Sequence, residues 1–224
     1  MSSSSGVGMV EASVVEGFRS VAIASVADAL DRATGRRGHM DHAVKNRING
    51  KRMVGVAATV LHAPTREAVP PRHALELIDS VAPGTVVCVG IHGDPDVALW
   101  GGLMSAGAHA NGLAGAVLDG GVRDLAEIRR DYDLPVFARL VSPGSTVGRT
   151  ATIAAQVPVT VGGVLVHPGD LVVGDEDGVC VVPPEHAEAV LRAAREIDGR
   201  EAEQARLIAA ERSLAKGLAK YGRI

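Results

Sequence analysis

Apolar residues along the first third of the chain recur first with a helical period and then as a continuous run. Val14, Phe18, Val26 and Leu30 recur at near-helical spacing, and Gly35 follows them as a stop signal. The stretch over residues 53–60 is rich in β-branched residues, which favours a strand. The predicted elements are a helix over residues 12–33, a loop over 38–50, a strand over 53–60 and a short helix over 72–80.

The central third alternates between short apolar runs and helical patterns. Its predicted elements are a strand over 85–89, a helix with Leu99, Leu103, Ala106 and Ala110 on one face and a stop at 111–112, a strand over 113–118, a turn at 119–122, a helix to about Tyr132, and a strand over 135–140. Continuous apolar runs are typical of strands that are covered on both faces. A helix between successive strands favours βαβ units, so we expect a largely parallel sheet.

From Pro158 the strands become shorter and are separated by turns. Gly162-Gly163 is predicted to be the turn of a hairpin within residues 159–166. Two more short strands, 171–174 and 179–182, precede a long helix with an apolar stripe from Ala187 to Ile197. The predicted organisation is one domain over residues 1–224, with a flexible terminus (about 1–11) and a helical tail (about 200–224) that packs on another subunit.

Composition and charge narrow the possible partners. A chain of 224 residues is long enough to bury roughly 70% of its unfolded surface, and 46% of its residues are hydrophobic. The 23 basic and 26 acidic residues give a net charge of −3. This near balance argues against a polybasic nucleic-acid binder, and so does an aromatic content of 2%. Cys88 and Cys180 lie far apart within apolar runs, so they are interpreted as buried thiols in a reducing compartment.

Neither a membrane span nor a secretory signal is recognisable in the chain. No stretch approaches the ~20 apolar residues of a membrane helix. Residues 1–10 lack the basic flank and the long apolar core of a secretory signal. We therefore expect a cytoplasmic protein with no membrane partner.

Several common chemical motifs are absent. The sequence has no P-loop, no dinucleotide-binding glycine motif, no zinc pattern and no nucleophile elbow. Histidines such as His109 and His167 are scattered without ligand spacing and are interpreted as structural or surface residues. Residues 175–178 resemble half of a calcium loop, but an Asx turn is the preferred interpretation.

Two helix starts follow apolar strands closely, at the sheet edge where ligands bind in open α/β folds. The first is Gly101-Gly102-Leu103-Met104, where paired glycines admit a ligand to the backbone and the free amides of a first helical turn favour an anion. The alternative is a glycine-rich helix start that only allows close packing. The sequence alone leaves both interpretations open.

The second start is Gly120-Gly121-Val122-Arg123-Asp124. A guanidinium beside a carboxylate could hold an anionic substrate and a divalent cation together. However, Asp124 and Glu127 also form a D-x-x-E capping pattern, and Arg123 could be an ordinary surface charge. Spacing does not decide between these interpretations.

The run from Gly112 to Asp124, GLAGAVLDGGVRD, resembles the signature of the RraA-like family. Further matches are SVADAL at 25–30, ALWG at 98–101, VHPGD at 166–170 and DGV at 177–179. The similarity covers about residues 20–197. This family contains 4-hydroxy-4-methyl-2-oxoglutarate/4-carboxy-4-hydroxy-2-oxoadipate aldolases and the RNase E activity regulator.

The resemblance implies a fold and a site. The fold would be α/β, in the three-layer β/β/α arrangement of swivelling, phosphohistidine-like domains, assembled as a homotrimer or homohexamer. The amides of Gly101, Gly102, Leu103 and Met104 would bind the carboxylate of a pyruvate-like ketoacid, Arg123 would contact this substrate, and Asp124 would bind Mg²⁺ or Mn²⁺. Arg123 and Asp124 would be the catalytic pair.

The sequence departs from the family at one point and leaves another undefined. Many family aldolases carry an acidic residue where this chain has Gly102, which puts the hydration shell of the metal and the usual aldol substrate in question. Family aldolases also borrow a C-terminal glutamate from the neighbouring subunit, and Glu201 and Glu203 are the candidates here.

Three functions follow as hypotheses. The leading one is a divalent-metal-dependent lyase that cleaves a 4-hydroxy-2-oxoacid to release pyruvate and also decarboxylates oxaloacetate, since both reactions pass through the same enolate. The second is a non-catalytic regulator that binds a ribonuclease. The third is a lyase for another hydroxy acid or a sugar-acid derivative.

Overall fold

The computed structural model describes residues 10–222, and residues 1–9 of the terminus expected to be flexible lie outside this range. The helices are α1 (Ala12–Gly17), α2 (Ile23–Thr34), α3 (Arg72–Ser80), α4 (Gly102–Ala110), α5 (Leu125–Glu127), α6 (Ala187–Glu211) and α7 (Leu214–Tyr221). The strands are β1 (Lys45–Asn46), β2 (Met53–Pro64), β3 (Val86–Ile91), β4 (Ala98–Trp100), β5 (Gly115–Val122), β6 (Val136–Val141), β7 (Thr150–Ala155), β8 (Val159–Val161), β9 (Val164–Val166), β10 (Leu171–Gly174) and β11 (Val179–Val182). A π-helical turn, Ile128–Tyr132, continues α5, and a 3₁₀ turn, Pro184–His186, precedes α6.

One mixed sheet of nine strands forms the centre of the fold. Its main order is β1-β6-β5-β3-β2-β10-β11, with β4 added to β5 and β7 added to β2. Strands β2, β3, β5 and β6 are parallel neighbours, as predicted for the central third of the chain. Strands β1, β7, β10 and β11 pair antiparallel, so the sheet as a whole is mixed rather than largely parallel. The segment from His39 to Asn46 contacts both edges, because His39 bridges to Cys180 and β1 pairs with β6. The sheet is therefore nearly closed, like a barrel.

Alternation along the strands divides the core into layers. Ala57, Val86 and Val117 face the inside of the curved sheet, where the β8–β9 hairpin packs. Their neighbours Ala58 and Val87 face outward against α3 and α4. A third cluster joins α1, α2 and α6 to β10 and β11. This arrangement of strands and helices confirms the α/β class expected from the sequence.

Several predicted elements agree with the structure. Helix α3 has the predicted bounds, and the hairpin turns at Gly162-Gly163, where both glycines have positive φ (58° and 76°), as a two-residue hairpin turn requires. Cys88 and Cys180 are free and buried, and burial raises the pKa of the Cys180 thiol to about 12. The amide of Asp177 donates to Asp175 Oδ1 at 3.0 Å, so residues 175–178 do form an Asx turn.

Four predictions for other elements are wrong. The helix predicted over 12–33 is broken between α1 and α2, and the turn predicted at 119–122 is instead the end of β5. Leu99 belongs to β4 rather than to the following helix, and Leu103 is 88% exposed instead of facing the core. Strand β7 was not anticipated.

The glycines at the end of β5 explain why the expected turn is a strand. A Cβ on Gly120 would lie 2.8 Å from Leu99 Cδ1, and a Cβ on Gly121 would lie 2.9 Å from the Val97 carbonyl oxygen. The pairing of β5 with β6 shifts register between Leu118 and Gly121. The two glycines therefore allow β4 to approach an irregular strand closely, which is a common role of glycine at a bulge.

Candidate active site at the ends of β4 and β5

The two predicted helix starts meet because their preceding strands are neighbours. Trp100 and Val122, the last residues of β4 and β5, are partners in a parallel pair. The amide of Arg123 donates to the carbonyl oxygen of Trp100 at 3.0 Å, which ties the second segment to the first. The carboxyl ends of parallel strands thus bring Gly101 and Arg123 to the same edge of the sheet.

The first segment is a helix start built for close approach. Gly101 is the extended N-cap of α4, and its carbonyl oxygen accepts from the Ser105 hydroxyl at 3.0 Å. The indole of Trp100 donates to the same hydroxyl at 2.8 Å, so the first turn is anchored to the core. A Cβ on Gly101 would lie 2.8 Å from Asp124 Oδ2 and 3.1 Å from Arg123 Nε. Position 101 therefore leaves room for the two charged side chains that cross it.

Asp124 has an unusual backbone and a long-range hydrogen bond. Its φ of 59° and ψ of 34° are left-handed, a conformation that aspartate tolerates better than most residues. Its side chain does not cap its own helix, so the capping box suggested by D-x-x-E is absent. Instead, Oδ2 accepts a hydrogen bond from the Gly102 amide at 3.0 Å. The carboxylate is thus aimed at the start of α4.

Arg123 lies against this carboxylate but is not buried by it. Its Nε is 3.4 Å from Asp124 Oδ2, and the two side chains are 45% and 39% exposed. An ion pair this exposed adds little to stability. The pair therefore presents an available guanidinium and an available carboxylate oxygen to solvent at one place.

The amides of the α4 start are only partly available. The Gly102 amide is occupied by Asp124. Leu103 and Met104 follow in the first turn, where backbone N–H groups have no preceding helical carbonyl to bind. The structure thus places Gly101 and Gly102 beside Arg123 and Asp124, with Leu103 and Met104 next in the same helical turn, while anion binding by the remaining amides stays a prediction.

Glu127 is the residue at this site that the sequence interpretation missed. A Cβ on Gly102 would lie 2.6 Å from Glu127 Cδ and 2.8 Å from Glu127 Oε2, so the Glu127 carboxylate covers the bare face of Gly102. The D-x-x-E spacing is the available signal, but in the sequence it indicates only a capping pattern for Glu127. Its meaning depends on the contact with α4, which is distant in sequence.

The residues present suit a hard divalent cation with few protein ligands. Asp124 and Glu127 offer carboxylate oxygens at the bare glycine face, and Mg²⁺ prefers oxygen ligands while keeping several waters. Within residues 10–222, no group of three or more His, Cys, Asp or Glu side chains is arranged to hold a metal ion. These residues therefore suit an ion that keeps most of its water ligands, rather than an ion whose ligands all come from the protein.

The cavity described next and the two candidate C-terminal glutamates are separate from the Arg123–Asp124 site. A cavity of about 550 Å³ is lined by residues such as Arg37, His167 and His186 and includes neither Arg123 nor Asp124. Glu203, on α6, accepts a hydrogen bond from the Tyr221 hydroxyl at 3.5 Å, and Glu201 lies on the same helix.

None of the helices in residues 10–222 combines the length and the apolar character needed to cross a bilayer.

Comparison with known proteins identifies the family of the chain. A family model described as RraA-like (Aldolase/RraA) matches residues 23–181, which include both helix starts. The chain is 32% identical over 181 residues to the Halalkalibacterium halodurans protein named "Putative 4-hydroxy-4-methyl-2-oxoglutarate aldolase", with 80% of each chain covered.

Two further relatives show the range of the similarity. Protein DlpA of Legionella pneumophila is 31% identical over 169 residues, a match that covers 75% of this chain but only 27% of DlpA. Among solved structures, Streptomyces coelicolor RraAS2, described as an unusual member of the RNase ES inhibitor RraA protein family, superposes with a TM-score of 0.80 at 29% identity. That match covers 88% of this chain and 98% of RraAS2.

Proposed function

The chain belongs to the RraA-like family, and from that premise we propose that it is a divalent-cation-dependent carbon–carbon lyase that cleaves a 4-hydroxy-2-oxoacid and releases pyruvate. The observation that carries this proposal is the pairing of Arg123 with Asp124 beside the amide of Gly102 (3.4 Å and 3.0 Å). Oxaloacetate decarboxylation leaves the same enolate, so the proposal includes that activity.

The reaction sets clear requirements for the site. The C4 hydroxyl gives its proton to a water molecule, the C3–C4 bond breaks, and its electron pair forms the enolate of pyruvate while C4 becomes a carbonyl carbon. The protonated water then returns a proton to C3, which gives pyruvate. A bound divalent cation, Mg²⁺ or Mn²⁺, would supply positive charge that stabilises the enolate oxygen.

The residues of this chain would then have distinct roles. Asp124 would hold the cation, and the Gly102 amide keeps the Asp124 carboxylate in place. Arg123 binds the anionic oxygens of the substrate, because a guanidinium matches a carboxylate with two parallel hydrogen bonds. The amides of Leu103 and Met104 bind the substrate carboxylate at the positive end of α4.

Lysine chemistry is not needed for this reaction, and the lysines have other partners. Lys45 donates to the Asp177 carbonyl at 2.7 Å, and Lys51 pairs with Asp133. Lys216 pairs with Glu211, and Lys220 lies over the Tyr221 ring at 5.2 Å. These contacts favour a cation, rather than a Schiff base, as the electron acceptor.

Assembly would complete the site. In the single chain the site is open to solvent, and Leu103, on its rim, is 88% exposed. We therefore propose a homotrimer or homohexamer in which a neighbouring subunit covers this edge. The buried free thiols of Cys88 and Cys180 suit a reducing cytoplasm.

A pyruvate-release screen over short 4-hydroxy-2-oxoacids and oxaloacetate tests the proposal. We expect turnover with Mg²⁺ or Mn²⁺, none with a chelator, and a loss of at least about 100-fold in Asp124→Ala. Asp131→Ala is the matched control, because within residues 10–222 that exposed carboxylate forms an ion pair only with its sequence neighbour Arg130. Undiminished turnover by Asp124→Ala would contradict the assignment.

The same screen separates the other hypotheses. If no ketoacid is turned over and the chain captures a ribonuclease in a pull-down, the regulator function replaces the enzymatic one. If a sugar acid or another hydroxy acid is the better substrate, the lyase assignment stands with a different substrate. The RraAS2 likeness is the reason for including the ribonuclease arm.

A further inference from the structure

The Glu127 carboxylate occupies the space that a side chain at position 102 would fill. A Cβ on Gly102 would lie 2.6 Å from Glu127 Cδ and 2.8 Å from its Oε2, with Oε1 closer still. Real Cβ atoms essentially never approach that closely. Any residue other than glycine at position 102 would therefore displace Glu127.

The Glu127 side chain has no donor of its own in the structure. It is half-buried, and in the described range of 10–222 no side chain or amide donates a hydrogen bond to it. Arg130, the nearby cation, is already held by both oxygens of Asp131 at 2.7 and 2.6 Å. Arg130 attracts Glu127 only through a Coulombic interaction, and partial burial of a carboxylate without a hydrogen-bond donor is unfavourable. The position of Glu127 therefore needs a physical explanation.

Two carboxylates converge on the same backbone residue. Asp124 Oδ2 accepts from the Gly102 amide at 3.0 Å, and Glu127 covers the Cα of that same glycine. Like charges at such a site repel each other unless a cation lies between or beside them. Arg123 Nε reaches Asp124 Oδ2 at 3.4 Å, and no ion pair joins it to Glu127 among residues 10–222.

We propose that Glu127 is a positioning residue of the cation site, holding the water shell of the ion bound at Asp124, and that Gly102 is glycine in order to admit it. This inference rests on the proposed function, because it needs a cation at Asp124. Magnesium and manganese keep several waters, and a second carboxylate can accept hydrogen bonds from those waters. The bare face of Gly102 is what allows the Glu127 carboxylate to reach them.

Binding of Mn²⁺ alone, followed by electron paramagnetic resonance of the free ion, tests this proposal without any substrate. We expect Glu127→Gln to weaken Mn²⁺ affinity about 10- to 100-fold, the usual effect of losing an outer-shell partner. Glu76→Gln, an exposed glutamate on α3, is the matched control and should bind Mn²⁺ as the wild type does. The urea midpoint of Glu127→Gln should not fall, because no hydrogen bond or ion pair to the Glu127 side chain is found within residues 10–222.

Two variants of Gly102 sharpen the test. Gly102→Ala should weaken Mn²⁺ binding like Glu127→Gln, and the combined variant should show no further loss, because both changes remove the same carboxylate. Gly102→Asp together with Glu127→Ala moves a carboxylate onto position 102 and should restore most of the lost affinity. A purely structural role for Glu127 would give neither the non-additivity nor the rescue.

The outcomes for the two proposals are distinguishable. If Asp124→Asn loses Mn²⁺ while Glu127→Gln binds it as the wild type does, the role of Glu127 is overturned and the proposed function stands. If Glu127→Gln lowers the urea midpoint to the same extent that it lowers the affinity for Mn²⁺, Glu127 is structural and the inference is overturned. If the wild type does not bind Mn²⁺ even at millimolar concentration, both proposals are overturned.

Discussion

Asp124 shows how one residue can satisfy a long-range requirement at the expense of a local one. Its spacing to Glu127 predicts a capping box, yet its backbone is left-handed and its carboxylate reaches across to the Gly102 amide. A left-handed non-glycine residue carries conformational strain, and such strain is concentrated at functional sites. The geometry therefore favours a chemical role for the carboxylate over a capping role.

This interpretation predicts that Asp124→Gly separates stability from activity. Glycine adopts positive φ without strain, which offsets the lost hydrogen bond to Gly102. We expect the free energy of unfolding in urea to change by less than about 1 kcal/mol, while pyruvate release falls by at least about 100-fold. A loss of stability above about 2 kcal/mol with activity retained would show that Asp124 is structural.

Arg123 gives a second prediction at the same scale. Lysine keeps the charge but loses the planar fork that matches a carboxylate. Arg123→Lys should raise KM about 10-fold or more, with thermal stability unchanged because the ion pair is exposed. Arg130→Lys, which changes an exposed arginine paired with Asp131, is the control and should leave KM unaltered. An unchanged KM in Arg123→Lys would remove Arg123 from substrate binding.

At the scale of elements, the break between α1 and α2 shows what periodicity cannot predict. The apolar spacing across residues 12–33 continues through the break, since Phe18 and Val21 are both buried. The freed carbonyls of Phe18 and Val21 accept hydrogen bonds from the guanidinium of Arg52, which also pairs with Asp175 at 3.1 Å. The break is therefore held by a residue more than thirty positions away.

Arg52→Met should destabilise the fold at this break. Hydrogen bonds to a charged group contribute about 1.5–3 kcal/mol, and removal of Arg52 leaves two partly buried carbonyls without a donor. We expect a loss of about 2–3 kcal/mol in urea unfolding. Arg19→Met removes an exposed i,i+3 pair with Glu16 and should cost less than about 0.5 kcal/mol. Equal effects of the two substitutions would contradict this account of the break.

Elements governed by local chemistry were predictable, and those governed by distant contacts were not. Helix α3 and the Gly162-Gly163 hairpin follow from nearby prolines, glycines and alternation. The strand end at 119–122 resembles a turn in sequence because it contains Gly120 and Gly121. These glycines are needed because residues 95–99, in β4 and just before it, pack closely against them, and the chain does not reverse direction there. The Arg123–Asp124 pair was visible in sequence, whereas Glu127 became visible only where α4 meets α5.

At the scale of the whole molecule, a buried histidine makes stability depend on pH. His62 is fully buried near the carboxyl end of β2. Within residues 10–222 its Nε2 has no hydrogen-bond partner, and its Nδ1 lies 3.5 Å from the Thr150 hydroxyl. Burial lowers its pKa from 6.5 to about 4. Between these values the unfolded chain binds a proton that the folded chain does not, so stability is lost as pH falls from 6.5 towards 4.

The variant His62→Leu tests this dependence. Between pH 6.5 and 4 the wild type should lose at most about 3 kcal/mol of its free energy of unfolding through His62. In the same pH range, the urea midpoint of the variant should change less with pH than that of the wild type. Burial raises the pKa of Asp170, an effect of opposite sign that is present in both proteins and cancels in the comparison. Identical pH profiles for wild type and His62→Leu would contradict the assignment.

The proposed assembly is the second subject at this scale. The open site and the exposed Leu103 favour a neighbouring subunit over this edge. Light scattering after size-exclusion chromatography should give three or six times the 23.0 kDa mass of the chain. A monomer that retains full turnover would show that the site is complete in one chain.

Cation-dependent pyruvate formation from oxaloacetate, measured in the wild type and in Asp124→Asn, tests the central claim most directly. The substitution retains a hydrogen-bond acceptor for the Gly102 amide but removes the negative charge. We predict turnover by the wild type that saturates with added Mg²⁺ and is abolished by a chelator, with at least about 100-fold less in Asp124→Asn at any Mg²⁺ concentration. Equal turnover by both proteins, or turnover that the chelator leaves unchanged, would contradict it.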